Sequence, residues 1–309
     1  MLPCVQESYT VRIRSAVGRA ATGELHQVII DLFINGRCIV LKSILRSAAV
    51  AAVAAVACLA SVNASARSLD EILSSKKLIV GVNPTLPPLG LFNDKNQIDG
   101  FDVEVSKRLA DMLGVELQVV QVGSPDRIPF VQSGKIDMVL GAMTRNPDRA
   151  KVIDFTVPVH SEVFGVLTTK AKPYTDWKEL NDESVKLVQV RGTTPLKFIA
   201  DNLPKAQVLQ LDNYPDAVRA IAQGRGDAMV DVIDFVGEHM NKHKVDWKVV
   251  ETPVDVYYCS IGVSKGNDSL RNWLNVALFD LHRRGFIDTT WKKWFGIGML
   301  YDVKPSPYF

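Results

Sequence analysis

The sequence predicts an α/β protein in two lobes, each a mainly parallel sheet flanked by helices. From residue 77 to 155 short apolar segments alternate with amphipathic ones, strand then helix then strand, the rhythm of parallel strands joined by crossover helices. A second series of the same kind runs from 177 to 235. Segments 247–251 and 254–263 then lead back, so the chain crosses twice between its halves, as at a hinge. At 309 residues, 47% of them hydrophobic, the chain exceeds one ordinary domain and has apolar residues enough for two cores.

Residues 1–36 mix Arg, His and short apolar runs and read as neither helix nor strand. After them Arg37, Lys42 and Arg46 precede an apolar run at 48–62 and the small-residue site Ala64-Ser65-Ala66, the layout of a secretory signal peptide. That run falls short of the roughly 20 residues of a membrane span. The expected organisation is an extension at 1–39, with translation starting near Val40 or Leu41, and a signal peptide at 40–66. Lobe 1 follows as 67–170 with 254–309, and lobe 2 as 171–253. Cleavage after Ala66 removes Cys4, Cys38 and Cys58 and leaves Cys259 without a disulfide partner, as a buried thiol in a strand. Lipidation at Cys58 is the competing reading, weakened by Ala55 where a larger aliphatic residue is usual.

Ser68 caps a short helix before a strand at 77–82, and the loop Asn83-Pro84-Thr85-Leu86-Pro87-Pro88 then forms a rigid wall at the strand end. Asp102 reads as the N-cap of a helix with Val103, Val105, Leu109, Met112 and Leu113 on its apolar face, ended by Gly114. A strand at 116–122 leads to a helix from Asp126, and a strand at 135–140 leads to a helix capped by Asn146 with Pro147 in its first position. The free N–H groups of that last helix, with Arg149 and Thr144 at the same end, make a candidate carboxylate site. The plain alternative is a surface Arg149 paired with Asp148 or Asp154. Gly192-Thr193-Thr194 before Pro195 repeats the strand-to-helix arrangement in the second half. Trp273, Leu274, Ala277, Leu278 and Leu281 form the face of a closing helix, with Trp291, Trp294 and Phe295 as core rather than a sugar platform.

VGVNPTLPPLG (80–90), IDGFDVEVSKRLADMLGVELQVV (98–120), SGKIDMVLGAMTRNPDRAKVIDFTVP (133–158) and VRGTTPLKF (190–198) come in the order, and with the closing helix 270–296, that resembles the extracytoplasmic solute-binding proteins of polar amino acid ABC transporters. The resemblance implies a two-lobed periplasmic-binding-protein fold. It also implies that Arg149 and Thr194 hold a ligand carboxylate from opposite lobes, and that Arg127, followed by Pro129, holds a side-chain carboxylate. An aromatic residue that stacks on the ligand in the family is Leu86 here. The family's ammonium-binding Asp falls on Val232, which leaves Asp231 as the first substitute and Asp234 as the second. Asn83, Ala142 and Gly192, on the same loops, complete the candidates. In a regular strand Asp231 would face away from the position of Val232.

A net charge of +2 argues against nucleic-acid binding driven by phosphate attraction. No phosphate loop or nucleophile elbow is present, and the helically spaced His239 and His243 have no evident third ligand, so neither metal nor cofactor is expected. The resemblance implies a monomeric periplasmic receptor that closes on a small polar, acidic amino acid and delivers it to a membrane permease. The alternative is an enzyme on the same fold resembling cyclohexadienyl or arogenate dehydratases. A receptor sensor module would call for a further membrane span.

Overall fold

The computed structural model describes residues 66–304 and 306. The extension, the signal-peptide run, Cys4, Cys38 and Cys58 lie outside the described residues. Among the described residues no helix is long and apolar enough to cross a membrane.

Helix α1 (Leu69–Ser75) starts with a reciprocal capping box between Ser68 and Glu71. Just ahead of it Arg67 reaches the buried Asp137, which also accepts from the Ile79 amide at 2.7 Å. Without that carboxylate a guanidinium and an amide lose their shared partner. Asp137→Ala should therefore lower the unfolding free energy by about 2 kcal/mol, read from urea denaturation.

The chain continues through β1 (Lys77–Val82), β2 (Leu91–Phe92), β3 (Ile98–Asp99), α2 (Phe101–Leu113), β4 (Glu116–Gln121), α3 (Arg127–Gln132), β5 (Met138–Val139), α4 (Pro147–Ala150) and the long β6 (Ile153–Thr169). The second half contains β7 (Lys186–Val190), α5 (Thr194–Asn202), β8 (Gln207–Leu211), α6 (Tyr214–Ala222), β9 (Ala228–Val232) and α7 (Gly237–Asn241). The long β10 (Trp247–Ser264) returns, and α8 (Asp268–Arg283) and α9 (Phe286–Phe295) close the first half.

Eight strands line up as β4-β1-β5-β10-β6-β9-β7-β8. On one side β1 runs parallel to β4 and β5, and on the other β7 runs parallel to β8 and β9. Between these groups β6 and β10 pair antiparallel, with an irregularity between Val250 and Asp255. The sequence reads as separate short strands here, but Ile153–Thr169 and Trp247–Ser264 are each continuous because they pair with one another along most of their length. From Phe164 to Thr168 β6 also pairs with β9, so the change of neighbour falls ahead of the expected break at 170.

Helix α2 is capped by Gly100, not Asp102. Asp102 lies inside the first turn, and its Oδ2 accepts from the Gly141 amide at 2.8 Å, tying the helix start to the loop after β5. Trp291 is core as expected: its ring stacks on Phe295 at 3.7 Å, and Phe101 meets both edge-on.

Candidate functional site

The loops after β1, β4 and β5 gather at one end of the first half and face the loop after β7 and the end of β9. This is the carboxyl edge of the strands, where open α/β sheets bind ligands. Locally the α4 entry forms as its sequence requires, with the Asn146 side chain accepting from the Arg149 amide at 2.9 Å and Pro147 in the first turn. The surface-pair alternative for Arg149 is not what forms. Asp148 pairs with Lys151 and Asp154 with Lys265, while Arg149 donates to the Thr144 carbonyl at 2.7 Å and to the Gly192 carbonyl at 2.8 Å. Burial, and after it the neighbouring Arg127 guanidinium, push Arg149 below the usual range, yet it stays protonated at neutral pH.

Arg127 is buried at the start of α3. Its Nε donates to the Ser124 carbonyl at 3.1 Å, its Nη1 to the carbonyls of Gly141 and Ala142, and its Nη2 to the Gly192 carbonyl at 3.0 Å. One carbonyl of the second half is thus shared by two guanidinium groups of the first. Ala142 adopts φ +56, a conformation that non-glycine residues rarely hold, which places backbone strain at the site. Gly192 itself has φ +73, and a Cβ there would sit 2.8 Å from Pro125 Cα and 2.9 Å from the Ser124 carbonyl oxygen. A further contact across the cleft joins His239 Nε2 to the Thr85 carbonyl at 3.0 Å.

Between the halves lies a narrow cleft in which the centre of a water-sized molecule has about 10 Å³ to occupy, room for roughly one water. Of the sequence-predicted residues, Arg127, Ala142, Thr144, Thr194 and Asp231 line it. Arg149 and Gly192 join through the shared carbonyl. Asn83 lies outside the lining, engaged with Ser124 and Thr85. Leu86 is outside the lining: its loop folds back, with the Gly90 amide on the Leu86 carbonyl at 3.0 Å, and the side chain is fully buried in the main core. Asp231 does reach the cleft. It pairs across β9 and β6 with Gly165, which has no side chain to crowd it, and β9 ends one residue later in the 3-10 turn Ile233–Phe235. Asp234 is exposed and outside the lining.

The sequence reading missed Glu162, Phe164, Tyr214 and Phe235, which also line the cleft. Only Glu162 left a trace, as the one carboxylate in the strand segment 157–169. Glu162 Oε2 accepts from Thr144 Oγ1 at 3.1 Å, and the Cys259 sulfur lies 3.8 Å from that hydroxyl. Burial raises Glu162 to about 7 against the pull of Cys259 and Thr144. Asp231 also rises to about 7, by burial first and by the Glu162 charge, against the Val232 amide and the Tyr214 hydroxyl. Asp102 rises to about 7 by burial, against the Gly141 amide. Glu162 Oε1, Asp231 Oδ2 and Thr194 Oγ1 are buried without a hydrogen-bond partner, an arrangement that costs free energy unless a ligand supplies the missing groups. His160, Glu162 and Cys259 hold one possible metal-donor atom each within 4.8 Å of one another.

A closed cleft between two α/β halves, polar inside and bridged by two long strands, defines a two-lobed small-molecule binding protein. Comparison with known proteins makes this specific: the chain belongs to the bacterial extracellular solute-binding proteins, family 3, which it matches over residues 78–297. It is similar to the ABC transporter glutamine-binding protein GlnH of Bacillus subtilis (strain 168), with 30% identity over 76% of this chain and 87% of that protein. The ABC transporter arginine-binding protein 1 of Escherichia coli (strain K12) is 26% identical over 72% of this chain and 92% of its own. Among solved structures, the ancestral amino acid-binding protein AncCDT-1, described as a precursor of cyclohexadienyl dehydratase, aligns with TM-score 0.68 and 30% identity over 74% of this chain and 99% of that one.

Proposed function

We propose that the protein is the periplasmic receptor of an amino acid ABC importer, acting as a monomer after secretion through the signal peptide at 40–66. It binds a polar amino acid between its lobes and delivers it to the membrane permease. The observation that carries this reading is the group of unpartnered polar atoms of Glu162, Asp231 and Thr194 in a cleft lined by the Arg127 guanidinium, which shares the Gly192 carbonyl with Arg149. Arg149 and Thr194 suit the α-carboxylate and Asp231 the α-ammonium. An acidic side chain has less support, because the Arg127 fork already serves four backbone carbonyls. The lobes are taken to meet where β6 gains β9 as a neighbour and where its pairing with β10 shifts register, near residues 163–166 and 250–255, refining the boundaries at 170 and 253.

A thermal-shift screen against the common amino acids, small dicarboxylates and prephenate tests the receptor reading. A ligand at a hundredfold excess over its dissociation constant adds about 2.7 kcal/mol of stability. If no amino acid raises the melting temperature, the reading fails. Arg149→Ala should weaken the ligand that does bind by a hundredfold or more in calorimetric titration, since a charge-assisted pair is lost where water is excluded. A second reading, a dehydratase, draws on Glu162, a cleft-facing carboxyl raised to about 7 and so suited to donate a proton to a leaving group. It predicts that prephenate disappears on incubation; unchanged prephenate ends it.

A further inference from the structure

Glu162 has no role in the carboxylate and ammonium contacts just described, yet it is 97% buried by its 3% exposure, lines the cleft and leaves Oε1 unpartnered. Its Oε2 is oriented by Thr144, which β10 in turn supports through Cys259. The groups around it come from every neighbouring element. Arg127 and Arg149 approach from α3 and α4, His160 and Cys259 from β6 and β10, Tyr214 and Asp231 from α6 and β9. Asp102, buried at the start of α2, adds a third carboxyl.

Charge decides what this surrounding favours. Both guanidinium groups are engaged with backbone carbonyls, and against them stand three buried carboxyl groups, so one carboxylate is in excess when all are ionised. An acidic ligand deepens that excess and a neutral zwitterion leaves it unchanged. A ligand with a second cationic nitrogen removes it, and the orphaned Oε1 is an acceptor suited to that nitrogen. We propose that Glu162 is the specificity-determining residue of the cleft and selects an amino acid with a cationic side chain, its second nitrogen on Glu162 and its α-ammonium on Asp231. This inference rests on the receptor reading and names the ligand class of the same site.

Ionisation adds a second signature. A cation binds the carboxylate form, and the empty Glu162 holds its proton up to about pH 7, so affinity for a cationic amino acid rises from pH 6 to pH 8 and binding releases protons.

The test is calorimetric titration of the purified full-length product, stripped of carried-over ligand, with arginine, lysine, ornithine, glutamine and glutamate at pH 6 and pH 8. The expected result is that at least one cationic amino acid binds tenfold or more tighter than glutamine and glutamate. Glu162→Gln then reduces that preference tenfold or more and flattens its pH dependence, while Glu162→Asp, which keeps the charge, retains much of both. Tighter binding of glutamine or glutamate overturns the proposal and leaves the receptor reading standing; no binding of any amino acid overturns both. An equal loss for all ligands in Glu162→Gln, with the melting temperature also lowered, assigns the residue to folding and overturns selection. Stoichiometric zinc retained by the wild type and lost in Glu162→Gln assigns the carboxylate to a metal with His160 and Cys259, and likewise overturns it.

Discussion

Gly192→Ala is expected to bind its ligand ten to a hundredfold more weakly while remaining folded. The added Cβ meets Pro125 Cα at 2.8 Å and the Ser124 carbonyl oxygen at 2.9 Å. Both are backbone atoms of the opposite half, which have no rotamer to yield. The residue also sits at φ +73, where an alanine costs about 1 kcal/mol. The three atoms nearest that Cβ all belong to the first half, so the strain is relieved by parting the lobes rather than by unfolding. The variant then loses the closed state on which the proposed ligand contacts of Thr194, Asp231 and Arg149 depend. Small-angle scattering with and without ligand provides the check: the wild type compacts on binding, and the variant stays extended. Unchanged affinity and full compaction would show that the lobes close without this close approach.

Arg127→Ala should do more damage, lowering unfolding stability by about 3–5 kcal/mol in urea denaturation and removing measurable ligand binding. The guanidinium gathers carbonyls from three loops, those of Ser124, of Gly141 and Ala142, and of Gly192. Truncation takes this donor from the Ser124 and Gly141 carbonyls, leaves Ala142 with the Thr144 amide and Gly192 with Arg149 alone, and opens a void where a large side chain was packed. Arg127→Lys should recover only part of the loss, because an ammonium offers three donors from one atom and does not span the same fork. A variant with near wild-type stability would mean that water replaces the guanidinium, and that the loops around the cleft are set by other contacts.

Much of this architecture was legible because it depends on local signals. Strand and helix alternate with a clear change of period, and the α4 entry reads directly from Asn146 and Pro147, whose capping bond spans three residues. The candidate site was legible where the same local logic holds, at Thr144, Arg149 and Thr194. It was not legible where position depends on pairing between distant strands. Glu162 sits opposite Tyr257 of β10, two residues before β6 also takes β9 as a neighbour, a placement that no window of the sequence shows. Tyr214 and Phe235 follow caps and turns whose direction is set by packing. The orientation of Asp231 was uncertain for the same reason: alternation along a strand fails as a guide one residue before the strand ends. The burial of Leu86 was not legible because a proline-rich loop can fold back on itself, and an aliphatic side chain gains more in the core than at a polar cleft.

A cleft this narrow between the lobes bears on the kinetics of the proposed transport role. A ligand enclosed there leaves only when the lobes part, so its dwell time is the lifetime of the closed form, and a tighter contact inside lengthens it only by prolonging that lifetime. For a permease that docks the closed form, unloading is then mechanical: the membrane partner has to separate the Gly192 carbonyl from two guanidinium groups.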